Sequence, residues 1–483
     1  MFIGLTKNRR ICVGLIGLST LTFFYQTNNT KHSTHYINAT CYYNYKFVKK
    51  ALLLQYNQII KIQFTMKTQI LIIGGGTAGI MAASQLLSKD SSLSLTILEP
   101  KETHYYQPAW TLVGAGAYDY SKTAKPMAEL IPSGAKWVKD YAVSFDPENK
   151  QVHTENSGEI TYEYLIVAPG LVMEPSMIEG LPEAMEKGVV CSNYTDPEHT
   201  WKMLQQFKGG IAIFTQPATP IKCGGAPQKI AYLAADYIRK NGLKSSSNVV
   251  FAKPGSVIFG VAEIKKTLME VIDNYGIDFK PFFSPVKIDA DKKVAHFKFV
   301  DPEGDMPAFE EGNALGAKVI GDKLVEIPFD FLHLAPPQAA PKFIRESPLA
   351  NDGGWLDVDH HSLQHNKYSN VFGLGDVAAL PTAKTGAAVR KQVPVVLDNI
   401  KKMMASKEAD NKDYNGYSSC PLVTGFGKMV LAEFDYNNNF TPDPKLKQML
   451  VFDSSKEHWR LWMLKKYMLP HLYWNQMMKG KNV

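Results

Sequence analysis

The chain has 483 residues, 45% of them hydrophobic, enough for two or three domains around a large buried core. Its formal net charge of +7 comes from the first 65 residues, which hold eight Lys/Arg and no Asp or Glu; the remainder has 45 basic and 46 acidic groups. A near-neutral body without a basic stripe excludes a nucleic-acid partner, and five scattered cysteines exclude a disulfide scaffold or a CxxC metal site.

Residues 1–65 differ in composition from the rest. "KNRRICVGLIGLSTLTFFY" has the basic start and short apolar run of a targeting segment, and Ile11–Tyr25 is too short for a membrane span. Met66 stands just before the first convincing strand. The segment reads either as a targeting leader or as an extension upstream of the natural start, and neither reading gives it chemistry.

From there "QILIIGGGTAGIMAASQLLSKDSSLSLTILEP" predicts strand, glycine turn, helix and strand. Ile70–Ile73 is a buried parallel strand, and Ile80, Ala83, Leu86 and Leu87 keep helical spacing. Gly74, Gly76 and Gly79 fill the GxGxxG positions, and Glu99 ends the second strand where an acid binds a ribose hydroxyl. The alternative is a tight turn without a ligand. Glu163–Gly170, "EYLIVAPG", is a second buried strand with a Pro-Gly exit. Much later, "SNVFGLGDVAALPTAKTGAAVRKQ" predicts a strand, a Gly-x-Gly-Asp turn and a helix start.

Between these pieces "GGIAIFTQPATPIKCGGAPQKIAYL" repeats the strand–turn–helix unit, with a strand at Gly210–Phe214 and a helix from about Pro227. Ile230, Leu233, Ala234, Tyr237 and Ile238 give that helix an apolar face. Its loop lacks GxGxxG and carries two prolines and Cys223, so it cannot cradle a second pyrophosphate. A thiol ahead of a helix N-terminus gains from the dipole and free N–H donors, which favour the thiolate, and Lys222 beside it adds to this. The bland reading is a small buried cysteine in a strand–helix turn. Cys420 reads as lying in a polar, glycine-flanked loop before an apolar strand.

The three-part glycine signature resembles the two-dinucleotide-domain flavoproteins, with a fold like that of glutathione reductase. That resemblance implies an α/β architecture of tandem Rossmann-like domains. The FAD-binding domain is expected over 66–170 and 326–400, and a second domain without a nucleotide loop over 171–325. A segment with the cysteine loop and membrane-associating helices follows over 401–483. It also implies that Asp376 contacts the ribityl–phosphate region of FAD and that the following helix points its N-terminus at the flavin. A helix-cap carboxylate is the alternative for Asp376.

The segments "HYYQPAWTLVGAG", "IPSGAKWVKDYAV", "TPIKCGGAPQKIAYL", "FGLGDVAALPTAKTGAAV", "SSCPLVTG" and "LPHLYWNQMM" together resemble the sulfide:quinone oxidoreductases of the mitochondrial-like type. The resemblance covers residues 66–483. It implies that Cys223 and Cys420 are the redox pair beside the flavin, joined as a disulfide or through bridging sulfur in the resting enzyme. Thr77 and Ala78 fall in the pyrophosphate turn and Glu99 at the ribose acid. Gln107 and Ala142 fall at FAD contacts, and Lys384 at a flavin-side lysine, for which an exposed cap lysine is the alternative. Cys191 matches more loosely and reads as a structural thiol; Val377 replaces a third cysteine of some relatives.

The implied partners are hydrogen sulfide, a membrane quinone and a sulfur acceptor such as a small thiol or sulfite. The implied location is peripheral or monotopic, on a bacterial cytoplasmic membrane or the mitochondrial inner membrane. The rivals are a type II NADH:quinone oxidoreductase, which needs the missing second glycine loop, and a non-catalytic flavin or persulfide sensor. From His458 to Met478, aromatic, Leu and Met residues alternate with Arg460, Lys465, Lys466 and Pro470. That pattern predicts two short amphipathic helices on a membrane surface, with a core or dimer-interface pair as the alternative.

Overall fold

The computed structural model describes residues 65–481 and, ahead of them, only the strands Phe2–Gly4, Arg10–Leu15 and Leu21–Phe24, which pair as one antiparallel sheet. Most of the leader, and so most of the targeting or upstream-extension reading, lies outside the described residues. Residues 63–483 form one compact unit.

That unit opens with β1 (Thr65–Ile73), α1 (Thr77–Lys89) and β2 (Leu95–Leu98), followed by β3 (Ala135–Val138), β4 (Ala142–Asp146), β5 (Gln151–Thr154) and β6 (Glu159–Val167). The sheet order is β3-β2-β1-β6-β5-β4, with β1 parallel to both β2 and β6. Ile70–Ile73 sits at the centre, almost without exposed surface, which is why it is a continuous apolar run and not an alternating one. Helix α1 is buried from Ala78 to Leu87, well beyond its predicted apolar face, because a second element covers its outer side: Ser84 Oγ donates to Met478 O at 3.0 Å.

The second sheet begins with β7 (Gly210–Thr215), α2 (Ala226–Lys240), β8 (Ser247–Lys253), α3 (Ala262–Tyr275) and β9 (Ile277–Pro281). An antiparallel sheet of β10 (Phe283–Asp289), β11 (Val294–Phe299), β12 (Lys318–Gly321) and β13 (Leu324–Pro328) follows. Then β14 (Phe331–Leu334) joins β7, giving the parallel order β9-β8-β7-β14. This sheet therefore takes in a strand beyond residue 325.

The chain returns to the first sheet with β15 (Val371–Gly373), which pairs with Leu165–Val167. Helix α4 (Gly386–Met404) is capped by Thr385, whose hydroxyl accepts from Ala388 N. Next, β16 (Ser418–Gly425) and β17 (Lys428–Phe434) form a hairpin. Cys420 is thus inside a strand and buried, not in a loop; Pro421 is tolerated because a two-stranded ribbon leaves an edge free of ladder bonds.

The C-terminal segment runs through a helix Trp459–Met463, a π-turn Leu464–Met468 and a helix Leu469–Asn475. Pro470 lies in the first turn of the last helix, where its missing N–H costs nothing. The expected membrane-facing helices are mostly core: Leu461, Trp462, Leu464, Lys465, Tyr473, Trp474, Met477 and Met478 are all buried. Of its large apolar side chains only Trp459, Met463, Tyr467 and Met468 remain exposed, at 58%, 44%, 55% and 46%. Among the described residues no helix is long and apolar enough to cross a membrane.

Candidate active site

The first glycine turn has the shape a pyrophosphate needs. A Cβ on Gly79 would lie 1.9 Å from Gly74 O, so only glycine lets α1 start this close to β1. A Cβ on Gly76 would meet nothing within 4 Å, and no side chain caps the helix there, so the open face is lined by free backbone donors. Glu99 closes the turn from β2: Oε2 accepts from Gly75 N at 2.7 Å and Oε1 from Lys101 N at 2.8 Å. Thr77 and Ala78 occupy the first helical turn. Ala142 packs in the core with Ile73 and Leu98, the residues that end β1 and β2. The Asp376 turn abuts this region, since a Cβ on Gly375 would sit 3.3 Å from that of Ala78. These residues fit a dinucleotide such as FAD.

The second turn is spent differently. Cys223 N donates to Lys384 O (2.8 Å), Lys222 N to Gln338 Oε1 (2.9 Å) and Ala226 N to Cys223 O (2.7 Å). The amides that would hold a second phosphate are used inside the protein. Cys223 itself adopts φ +49°, a left-handed conformation that costs a non-glycine residue roughly 1–2 kcal/mol and is typical of functional turns.

That turn brings Cys223 against Cys420, and the two free thiols are close enough for each to shift the other's titration. Gly225, which caps α2, leaves room for the thiol: a Cβ there would lie 2.5 Å from Cys420 Sγ. Lys229 Nζ donates to Cys223 Sγ at 3.1 Å, although Lys229 is fully buried. The hydrogen bond from Cys420 and the Lys229 charge hold Cys223 well below the usual thiol range. Cys420, as the donor in a buried site, is pushed up. The gross attraction between an ammonium and a thiolate at this distance is roughly 5 kcal/mol at an effective dielectric of 20. That is comparable with the several kcal/mol that burial costs each ion, so one lysine only breaks even. A second is present. Lys465, buried in the π-turn, donates to Pro108 O at 2.7 Å and also acts on both sulfurs; burial and the neighbouring Lys229 push it down to about 7.

The residues expected at the flavin gather next to the pair. Lys222 Nζ reaches Gln107 Oε1 at 2.5 Å, so it serves that residue and not the thiol expected from the sequence. Lys384 is not an exposed cap: Nζ donates to Ala378 O at 2.8 Å, lies 4.1 Å from the Trp355 ring centre, and is pushed by burial down to about 8. Burial raises Asp376 while Lys222 and Lys384 oppose the shift. Cys191 stays apart, buried with its thiol on Leu332 O at 3.5 Å, and burial pushes it up to about 12.

Sequence reasoning missed Lys229 and Lys465. Lys229 stands four residues before Leu233, on the apolar face of α2, and a lysine at such a position is the signal that was available.

The pyridine nucleotide-disulphide oxidoreductase family model matches residues 68–399. The mitochondrial sulfide:quinone oxidoreductase of Mus musculus is 39% identical over 414 residues, covering 85% of this chain and 86% of that protein. Its counterpart from Dictyostelium discoideum is 38% identical over 419 residues, covering 86% of each. The solved sulfide:quinone oxidoreductase of Aquifex aeolicus has the same fold at 19% identity, with a TM-score of 0.66 over 86% of this chain and 92% of that one. With an adjacent pair of free thiols, one intact dinucleotide turn and this extent of identity, the chain belongs to the sulfide:quinone oxidoreductases, within the pyridine nucleotide-disulphide oxidoreductase family.

Proposed function

We propose that Cys223 and Cys420 are the pair at which this chain oxidises hydrogen sulfide. FAD would be held by Gly74, Gly76, Thr77, Ala78, Gly79, Glu99, Gln107, Ala142, Asp376 and Lys384. The observation that carries the reading is the adjacent pair of buried free thiols with Lys229 on Cys223, next to the Asp376–Lys384 loop.

In the oxidised protein the two sulfurs form a disulfide. The sulfur of lower pKa leaves faster, so hydrosulfide attacks Cys420. The S–S bond breaks, Cys420 carries the persulfide, and Cys223 departs as a thiolate held by Lys229. A nucleophilic acceptor, a small thiol or sulfite, takes the outer sulfur and leaves Cys420 as a thiolate. Lys465, poised near neutrality, supplies charge while two anions share the site. The thiolates re-form the disulfide by giving up one electron pair. FAD, held by the residues named above, would supply the two-electron acceptor that links this pair to the quinone.

The donor is the direct test. Anaerobic sulfide should bleach the flavin stoichiometrically, whereas NADH and NADPH should leave it oxidised, because the second turn lacks the glycine pattern and spends the Lys222, Cys223 and Ala226 amides inside the protein. Rapid stoichiometric reduction by NADH would restore the type II dehydrogenase reading.

A lipid quinone also calls for a membrane surface, on the bacterial cytoplasmic or mitochondrial inner membrane. Trp459, Met463, Tyr467 and Met468 are the exposed aromatic and apolar groups suited to it, and the half-buried Arg460 and Lys466 lie among them. Replacing those four residues by serine should release the protein from anionic vesicles and weaken reduction of long-tailed quinones. Flavin reduction by sulfide should be unchanged. Undiminished vesicle binding in a flotation assay would mean that this patch faces something other than lipid.

A further inference from the structure

The C-terminal segment does more than present an outer face. Its last helix places the Tyr473 hydroxyl 2.7 Å from Thr77 Oγ1, at the first glycine turn, although the two residues are 396 positions apart. The same hydroxyl lies 2.5 Å from His104 Nε2, and His104 Nδ1 lies 3.0 Å from Gly75 O. Tyr473 and His104 are both buried. Tyr106, 4.6 Å away between ring centres, and Trp474, at 4.9 Å, hold the ring in place.

The direction of these hydrogen bonds follows from chemistry. Gly75 O can only accept, so Nδ1 of His104 carries the hydrogen. Burial disfavours the imidazolium, leaving Nε2 as an acceptor. Tyr473 therefore donates to His104, and its oxygen accepts the Thr77 hydroxyl hydrogen. The side chain of Thr77 is tied back, and the backbone N–H groups at the start of α1 are left to face an anion. Two points of the turn, Gly75 O and Thr77 Oγ1, are thus fixed by one phenol from the far end of the chain.

We propose that Tyr473 is a positioning residue for FAD, a latch by which the C-terminal segment holds the pyrophosphate turn in its binding shape through Thr77 and His104. The proposal rests on the reading that the first glycine turn holds FAD. Deleting the phenol oxygen leaves the ring packing intact and strands the buried His104 and the half-buried Thr77.

The test is the rate at which FAD leaves the holoenzyme, followed by the fluorescence of released flavin with an excess of apoflavoprotein as trap. Tyr473→Phe is expected to release FAD about tenfold faster than the unmodified protein. Thr77→Val should do the same, and the double variant should be little faster than either single one, since the two act through one bond. Gly76→Val, which fills the open face of the turn, should prevent stable FAD loading. If Tyr473→Phe only lowers the melting temperature and releases FAD at the unmodified rate while Gly76→Val fails to load, the latch is overturned and the FAD site stands. If Gly76→Val retains FAD normally, the site reading and the latch fall together.

Discussion

Replacing either Cys223 or Cys420 by serine is expected to lower sulfide-dependent quinone reduction by at least about a thousandfold, while FAD stays bound. Serine nearly preserves side-chain size, but its oxygen can neither form the disulfide that hydrosulfide attacks nor carry a sulfane sulfur. The double variant should be little worse than either single one, because a pair that acts as a unit is lost when one member goes. The singles should nevertheless differ spectroscopically. Cys420→Ser keeps Lys229 on the Cys223 thiol at 3.1 Å and puts a hydroxyl donor where the Cys420 thiol stood, so Cys223 should still titrate toward the thiolate. Removing Cys223 takes away the acceptor of the Cys420 hydrogen bond, and burial keeps the remaining thiol protonated. Ultraviolet thiolate absorbance against pH would separate them. Cys191→Ser should retain turnover, since that thiol only contacts Leu332 O in the core. Turnover near the unmodified level in Cys223→Ser would mean that the second loop lost a nucleotide and gained an inert cysteine.

The parts of this site that could be read from the sequence are those in which local backbone needs dictate the residue. Gly79 must be glycine because Gly74 O occupies the space of its Cβ, and Glu99 must end β2 to meet Gly75. A strand, a turn and a helix write that requirement into consecutive residues. Cys223 was visible for the same reason, as an odd residue in a familiar turn. Lys229 and Lys465 were not, because their partners are sulfurs brought in by tertiary packing. A lysine in a helix reads as solvated unless its neighbours on the same face are counted. Lys222 misled for the complementary reason: adjacency in sequence suggested the thiol, but successive residues in an extended turn point apart, and its side chain went to Gln107. Cys420 read as a loop residue because Ser418, Ser419 and Pro421 are poor strand formers. The pairing with β17 and the burial against α2 outweigh that weak propensity.

The C-terminal segment is the largest departure from expectation, and it changes what a truncation should do. From sequence, ending the chain near Ser455 should cost lipid attachment and long-tailed quinone reduction while sparing sulfide-dependent flavin reduction. In the fold, that cut removes Leu461, Trp462 and Leu464 from the core around the cysteine pair, and Tyr473, Trp474, Met477 and Met478 from the core around α1. Large buried apolar side chains are worth about 1.5–3 kcal/mol each, so the loss exceeds the whole stability of a typical domain. The cut also takes away Lys465, whose charge acts on both sulfurs, and Tyr473, which ties down Thr77. A chain ending at Ser455 should therefore purify without FAD or aggregate, and show no sulfide-dependent reduction of any quinone. The serine replacements at Trp459, Met463, Tyr467 and Met468 should keep FAD and the sulfide half-reaction, because those side chains face outward. The contrast is what separates a core role from a membrane role. A truncated chain that keeps its flavin and is bleached by sulfide at the unmodified rate would show that residues 456–483 only decorate the surface.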